Sequence, residues 1–159
     1  MYDATSLHEE FDGERVPPGQ RETTRFPVLS KSGTPSVDLS EWTLDVWGAV
    51  NERLELDFDA LRGLDTETQR QDFHCVTGWS RLDNEFTGVT FPTIVEAAGV
   101  TDEAVHVMFH AADGYTTNLP LDTCTRREML VTWEHDGERL PADHGGPVRV
   151  VVPHRYAYK

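Results

Sequence analysis

Cysteine is scarce. Cys75 and Cys124 are the only two in 159 residues, which excludes a disulfide-stapled scaffold. Lysine is scarcer still: of 14 cationic residues only Lys31 and Lys159 are Lys, against 28 Asp and Glu. The formal net charge of −14 excludes a surface suited to nucleic acid or an anionic membrane, since both would repel it. Acid excess with almost no lysine fits a halophilic cytosol, where salt screens the self-repulsion of the compact state. No apolar run approaches the ~18 residues that span a bilayer. Met1 to Arg25 lacks the basic start and apolar run of an export signal. The expectation is a cytoplasmic protein with reduced thiols.

The length suits one domain with a real core. Residues 1–24 are polar, with Pro17-Pro18-Gly19 at their centre, and read as a mobile or surface-draped tail. Residues 25–159 read as the folded domain. Trp42–Val50 alternates as a strand does, with Leu54–Leu56 as its partner. Asp57–Leu61 predicts a short helix capped by Asp57. Thr68–Cys75 predicts a strand, followed by a turn at Gly78-Trp79-Ser80. Phe91–Ala98 predicts a helix with Pro92 in its first turn and Gly99 as its stop. Ala104–Ala111 alternates strictly, and Asp113-Gly114 marks a turn. Leu121–Thr125 predicts one helical turn. Met129–Trp133 and Val148–Val152 predict strands, with Asp136-Gly137 as a hairpin turn. Strands outnumber helices, so the class is α+β, mainly β.

Two groups stand out chemically. Cys75 ends a strand just before a glycine turn, where rigid backbone presents a side chain to a pocket. A thiolate there is a soft metal ligand; the plainer reading is a small buried apolar residue. Zinc from His74, Cys75, Cys124 and other histidines is disfavoured, because there is no C-x₂-C pair, and His106 and His110, though four apart, lie on what reads as a strand. A Cys–His nucleophile pair is disfavoured too, because His74 and Cys75 point to opposite faces of one strand. The second group is His144-Gly145-Gly146-Pro147-Val148-Arg149. Arg149 interrupts an apolar strand, and a buried cation demands an anion. A phosphate, a carboxylate ligand or one of the chain's own acids would serve.

Asp72-Phe73-His74-Cys75-Val76-Thr77-Gly78-Trp79-Ser80-Arg81-Leu82-Asp83-Asn84 resembles the segment around the molybdenum-ligating cysteine of sulfite-oxidase-like molybdopterin oxidoreductases. Gly114–Leu121 (GYTTNLPL) resembles a second segment of that family, and His144–Pro153 (HGGPVRVVVP) a third, in the family's order. With the lead-in Phe26-Pro27-Val28-Leu29, the resemblance runs from Phe26 to Lys159.

The resemblance implies the mixed-sheet molybdopterin-binding fold of sulfite oxidase. It implies a molybdenum–molybdopterin cofactor, with Cys75 as the protein's thiolate ligand to molybdenum. It places His144 and Arg149 on the pterin and its phosphate, and His110 near a pterin-contacting position. It puts Arg81 at the substrate mouth, with Arg25 as a further contact. The implied reaction is oxygen-atom transfer to or from a small oxyanion or a sulfoxide-type substrate, with single electrons exchanged with a soluble partner. The family's usual segment beyond the position of Lys159 carries a phosphate-contacting lysine, so the domain reads as short at its C-terminus. The alternative is a non-catalytic domain of the same fold that does not retain the cofactor and acts as a binding module.

Overall fold

The computed structural model describes residues 1–158. In chain order the strands are β1 (Tyr2–Asp3), β2 (Arg21–Glu22), β3 (Thr43–Val46), β4 (Leu54–Asp57), β5 (Thr66–Cys75), β6 (Trp79–Thr90), β7 (His106–His110), β8 (Thr116–Pro120), β9 (Leu130–His135), β10 (Glu138–Arg139) and β11 (Arg149–Val151). Three short helices join them: α1 (Phe58–Arg62), α2 (Phe91–Ala98) and α3 (Leu121–Cys124). One seven-stranded sheet runs β1-β5-β6-β9-β10, with β11 also on β9 and β2 also on β6. β1 and β2 pair in parallel and the others antiparallel, so the sheet is mixed. β3–β4 and β7–β8 form two separate hairpins. The fold is mainly β, as the sequence patterning implied.

Local chemistry sets the joints. The Asp57 carboxylate accepts from the Ala60 amide at 2.8 Å and starts α1. The Thr90 hydroxyl and Pro92 start α2, and Gly99 at φ +60° stops it. Asp136 and Gly137, both at positive φ, make the β9–β10 turn. Gly88 lies where β9 passes too close for any side chain: an added Cβ would sit 2.2 Å from the Val131 carbonyl oxygen.

Two buried apolar clusters flank the sheet, and neighbouring residues of β9 serve one each. Val131 joins Phe58, Leu61, Val89, Ile94, Met129 and Trp133 under the helices. Leu130 joins Phe73, Cys75, Trp79, Phe86 and Val151. Cys75 therefore sits within a core.

Two expectations need correction. Residues 1–24 are not a loose tail. Tyr2–Asp3 pair with Gln69–Arg70, Arg21–Glu22 pair with Trp79–Ser80, and Phe11 and Ala4 are buried. Arg15 grips the buried Asp72 carboxylate through two bonds, at 2.7 and 2.9 Å. The polar composition was that of a segment satisfied by strand edges and an ion pair, not by water alone. The second correction is β6: the sequence suggested only a turn at Trp79-Ser80, yet a twelve-residue strand begins there. Its polar stretch Ser80–Glu85 hides the alternation, because Ser80 and Asn84 are buried through hydrogen bonds and not through apolar burial.

Candidate functional site

The hairpin β5–β6 carries the site. Its register sets Cys75 opposite Trp79, His74 opposite Ser80 and Phe73 opposite Arg81. Alternation then places Phe73, Cys75, Trp79 and Arg81 on one face, and His74 and Ser80 on the other. His74 Nδ1 bonds Ser80 Oγ at 2.8 Å, and the Phe11 ring packs against its imidazole. Burial holds His74 below its ordinary value and so neutral. The Cys75 carbonyl accepts from the Gln20 side chain and from the Gly78 amide. The cysteine's own backbone is thus fixed from the N-terminal segment as well as from its turn. Its Sγ meets Thr77 Oγ1 at 3.1 Å. At Cys124, in the other cluster, burial pushes the thiol up to about 12, so it stays protonated and inert.

Arg149, at the start of β11, arrives beside this face. Its guanidinium lies 5.5 Å from the Phe73 ring centroid and 6.0 Å from that of Phe26. It donates to the carbonyls of His144 at 3.0 Å and Val150 at 3.4 Å. Among the described residues it meets no carboxylate. Burial pushes it down to about 10, and the charge of a Cys75 thiolate acts the other way. The internal ion pair that the sequence left open for Arg149 is absent among the described residues. His144 stacks on Phe26, with centroids 4.5 Å apart and planes 18° off parallel. Burial and Arg149 hold His144 low despite Asp143.

Arg81 shares the Cys75 face, but its donors are spoken for. Nη2 bonds Asp136 Oδ2 at 2.6 Å, Nη1 bonds Asn84 Oδ1 and reaches His135 Nε2 at 2.9 Å, and Nε reaches the Thr24 carbonyl at 3.4 Å. His110 lies elsewhere, on the exposed side of β7, with its ring 5.3 Å from Trp47. Cys75, His144 and Arg149 therefore converge around Phe26 and Phe73. Arg81 is adjacent and committed, and His110 makes no contact with the group.

Three participants escaped the sequence reading. Phe26 touches Phe73, Trp79, His135 and His144 at once. His135 stacks on Phe86. Burial lowers His135 to about 4, with Arg81, His144 and Arg149 adding to the drop and Asp136 opposing it. Trp79 stacks on Phe73 and has a buried Nε1 with no acceptor among the described residues. The signal for Trp79 was available: a three-residue turn after Cys75 sets residue 79 directly opposite it.

The oxidoreductase molybdopterin-binding domain model matches residues 31–159. The chain belongs to this family. The protein named uncharacterized oxidoreductase YuiH, from Bacillus subtilis, is 45% identical over all of this chain and 80% of its own length. Two relatives are sulfoxide reductase components by name. The putative protein-methionine-sulfoxide reductase subunit YedZ1 of Azospira oryzae is 30% identical, over 94% of this chain and 59% of its own length. The protein-methionine-sulfoxide reductase catalytic subunit MsrP of Gluconobacter oxydans is 29% identical, over 94% of this chain and 56% of its own. The chain thus spans less than two thirds of those two. Among solved structures, the sulfane dehydrogenase SoxCD of Paracoccus pantotrophus superposes with a TM-score of 0.68 at 20% identity, over 76% of this chain and 36% of that one. It shares the fold.

The family implies a molybdopterin cofactor, and the residues present fit one. A thiol lies near a half-buried guanidinium that no acid among the described residues neutralises, and a guanidinium can only donate. Such a lining suits an acceptor-rich, anionic group with a thiophilic metal. No helix is long and apolar enough to cross a membrane among the described residues.

Proposed function

We propose that this chain is a molybdenum-dependent oxidoreductase domain in which the Cys75 thiolate ligates the metal and the reaction transfers an oxygen atom to or from sulfur. The observation that carries the proposal is the pairing of Cys75 with an Arg149 that has no acid partner among the described residues. When bound, the cofactor supplies two-electron chemistry at molybdenum, with single electrons exchanged with a soluble partner protein. The chain's own residues position and balance charge. Arg149 holds an anionic phosphate, His144 contacts the pterin beside it, and Phe26 keeps both in register while excluding water. The Gln20 and Gly78 bonds fix the Cys75 backbone, so the thiolate would hold one position toward a bound metal.

The committed state of Arg81 favours a neutral, sulfoxide-type substrate. A sulfite-like oxyanion needs free cations near the metal, and Arg81 is engaged with Asp136, Asn84 and His135. Exposed Arg21, opposite Trp79, is the cation left beside the start of β6.

The test is elemental molybdenum in protein from a cofactor-making host, in molar salt, beside Cys75→Ser. Near-stoichiometric molybdenum in the wild type and none in the variant is expected. Reduction of a methyl sulfoxide with a viologen donor should then exceed sulfite oxidation with a dye acceptor. A folded wild-type protein with no molybdenum would overturn the proposal in favour of a binding module.

A further inference from the structure

The sulfur of Cys75 already has a partner within the protein: Thr77 Oγ1 lies 3.1 Å from Sγ. Cys124, the other free thiol, has no such partner among the described residues. Thr77 is exposed, so it adds little packing, and its hydroxyl bonds no other group among the described residues. It stands on a turn whose backbone is tied at three points. The Gly78 amide donates to the Cys75 carbonyl, the Val76 amide to the Ala157 carbonyl and the Arg21 amide to the Gly78 carbonyl, each at 3.0 Å. Gly78 closes the turn at φ +95°, a conformation that side chains rarely adopt. A β-branched side chain is also stiff at χ1. Fixed backbone and stiff side chain together hold the hydroxyl at the sulfur.

We infer that Thr77 is a positioning residue for the metal ligand: its hydroxyl donates a hydrogen bond to the Cys75 thiolate and so raises the reduction potential of bound molybdenum. The inference rests on the cofactor reading above and adds a residue to which neither the sequence motifs nor the relatives' names give a role. In the free thiol either atom can donate. Ligation decides the direction. A cysteine binds metal as the thiolate, which has no proton to give, so the hydroxyl is then the donor. A bond to an ionised acceptor is stronger than a neutral one, so the contact tightens once the metal is held. Donation draws charge off the sulfur, which then gives less to the metal. The higher oxidation state depends on that charge more, so reduction becomes easier. Hydrogen bonds to ligating sulfur tune metal potentials in this way. Gln20 and Gly78 hold the Cys75 carbonyl and so the backbone, whereas Thr77 acts on the sulfur itself.

Thr77→Val keeps the branched shape and removes the donor; Thr77→Ser keeps the donor. Both variants should melt with the wild type when empty, because the side chain is exposed. In loaded protein, a redox titration in molar salt would follow the paramagnetic resonance of molybdenum. The one-electron equilibrium in Thr77→Val should shift about tenfold against reduction, a potential lower by about 59 mV. Its sulfur-to-metal charge-transfer band should move to longer wavelength. Thr77→Ser should restore both values, which a merely structural turn residue would not do. A Thr77→Val equilibrium within about twofold of the wild type would overturn the inference and leave the cofactor reading intact. Equal shifts in the two variants would also overturn it, by placing the effect in the shape of the turn. Should Thr77→Val take up no molybdenum while Thr77→Ser loads, the hydroxyl governs the ligand through affinity and the inference stands; should neither load beside a loaded wild type, it fails. A wild-type protein that never carries molybdenum would overturn both readings.

Discussion

Acid should weaken this protein well before its carboxylates titrate. His154 is buried at 1% exposure, with Nε2 at 3.1 Å from the Thr123 carbonyl and Nδ1 unpartnered. Burial pushes it down to about 4; Arg126 and Arg155 add to the drop, while the Thr123 carbonyl and Glu128 oppose it. His135 is lowered to the same level by burial and by Arg81, His144 and Arg149. Both rings are neutral in the fold, whereas a free histidine titrates near 6.5. Their contribution is fully present above pH 6.5 and falls as the unfolded chain takes up protons the fold refuses. At about 1.4 kcal/mol per pH unit, each forfeits about 3 kcal/mol by pH 4 and about 2 kcal/mol by pH 5. His74 and His144 shift the same way and add to the loss. Urea unfolding in constant high salt should therefore show a stability about 4 kcal/mol or more lower at pH 5.0 than at pH 7.5, a large part of a typical domain's total. The double variant His135→Gln, His154→Gln should lose less than half as much over the same interval. A wild-type stability that changes by less than 1 kcal/mol, or a double variant as pH-sensitive as the wild type, would refute the reasoning.

Three further outcomes follow from single contacts. Asp72→Asn breaks the charge on which Arg15 closes and should cost about 2 kcal/mol; limited proteolysis should then cut within residues 12–20, and unchanged protection would show that the ion pair does not latch that segment. Gly88→Ala sets a Cβ against the Val131 carbonyl, backbone on backbone, and should cost 2 kcal/mol or more in denaturant midpoint terms; a cost under about 0.5 kcal/mol would mean β6 and β9 can part there. Cys124→Ala should cost about 1–2 kcal/mol from the lost buried sulfur yet leave molybdenum content at wild type, the opposite pattern to Cys75→Ser.

The sequence disclosed elements whose signals are local. Asp57, Pro92, Gly99 and Asp136-Gly137 each declare a boundary through their own backbone chemistry, and each boundary stands where expected. The strict alternation of residues 104–111 likewise gives β7, with Val107 and Phe109 inward and His106, Met108 and His110 outward. What stayed hidden depends on partners far along the chain. Residues 1–24 look solvent-bound until Asp72 and the edges of β5 and β6 are beside them. β6 looks like a loop because its buried members are Ser80 and Asn84, whose burial is tolerable only through His74, Gln20 and the Gln71 carbonyl. The same limit applies to the site. Cys75, His144 and Arg149 were legible as motif residues, but Phe26, the ring that brings two of those segments together, carries no chemical signal of its own. Arg81 was legible as a cation near Cys75, and its engagement with Asp136 was not, because that ion pair spans 55 positions.

A half-buried Arg149 with no acid partner among the described residues imposes a cost on the fold, and that cost has a use. Arg149 is half-buried among apolar rings, and that burial lowers it from its ordinary value. The fold tolerates it because Phe26, Phe73 and the His144 carbonyl hold the guanidinium wherever the chain's stability is sufficient, and that stability comes from the separate core under the helices. An anion binding beside Arg149 would find a guanidinium already partly desolvated and held by the His144 and Val150 carbonyls. It would relieve the burden on Arg149 as it bound. Ligand affinity and fold stability are then two readings of one interaction, so a substitution that relaxes the surroundings of Arg149 should weaken its hold on an anion.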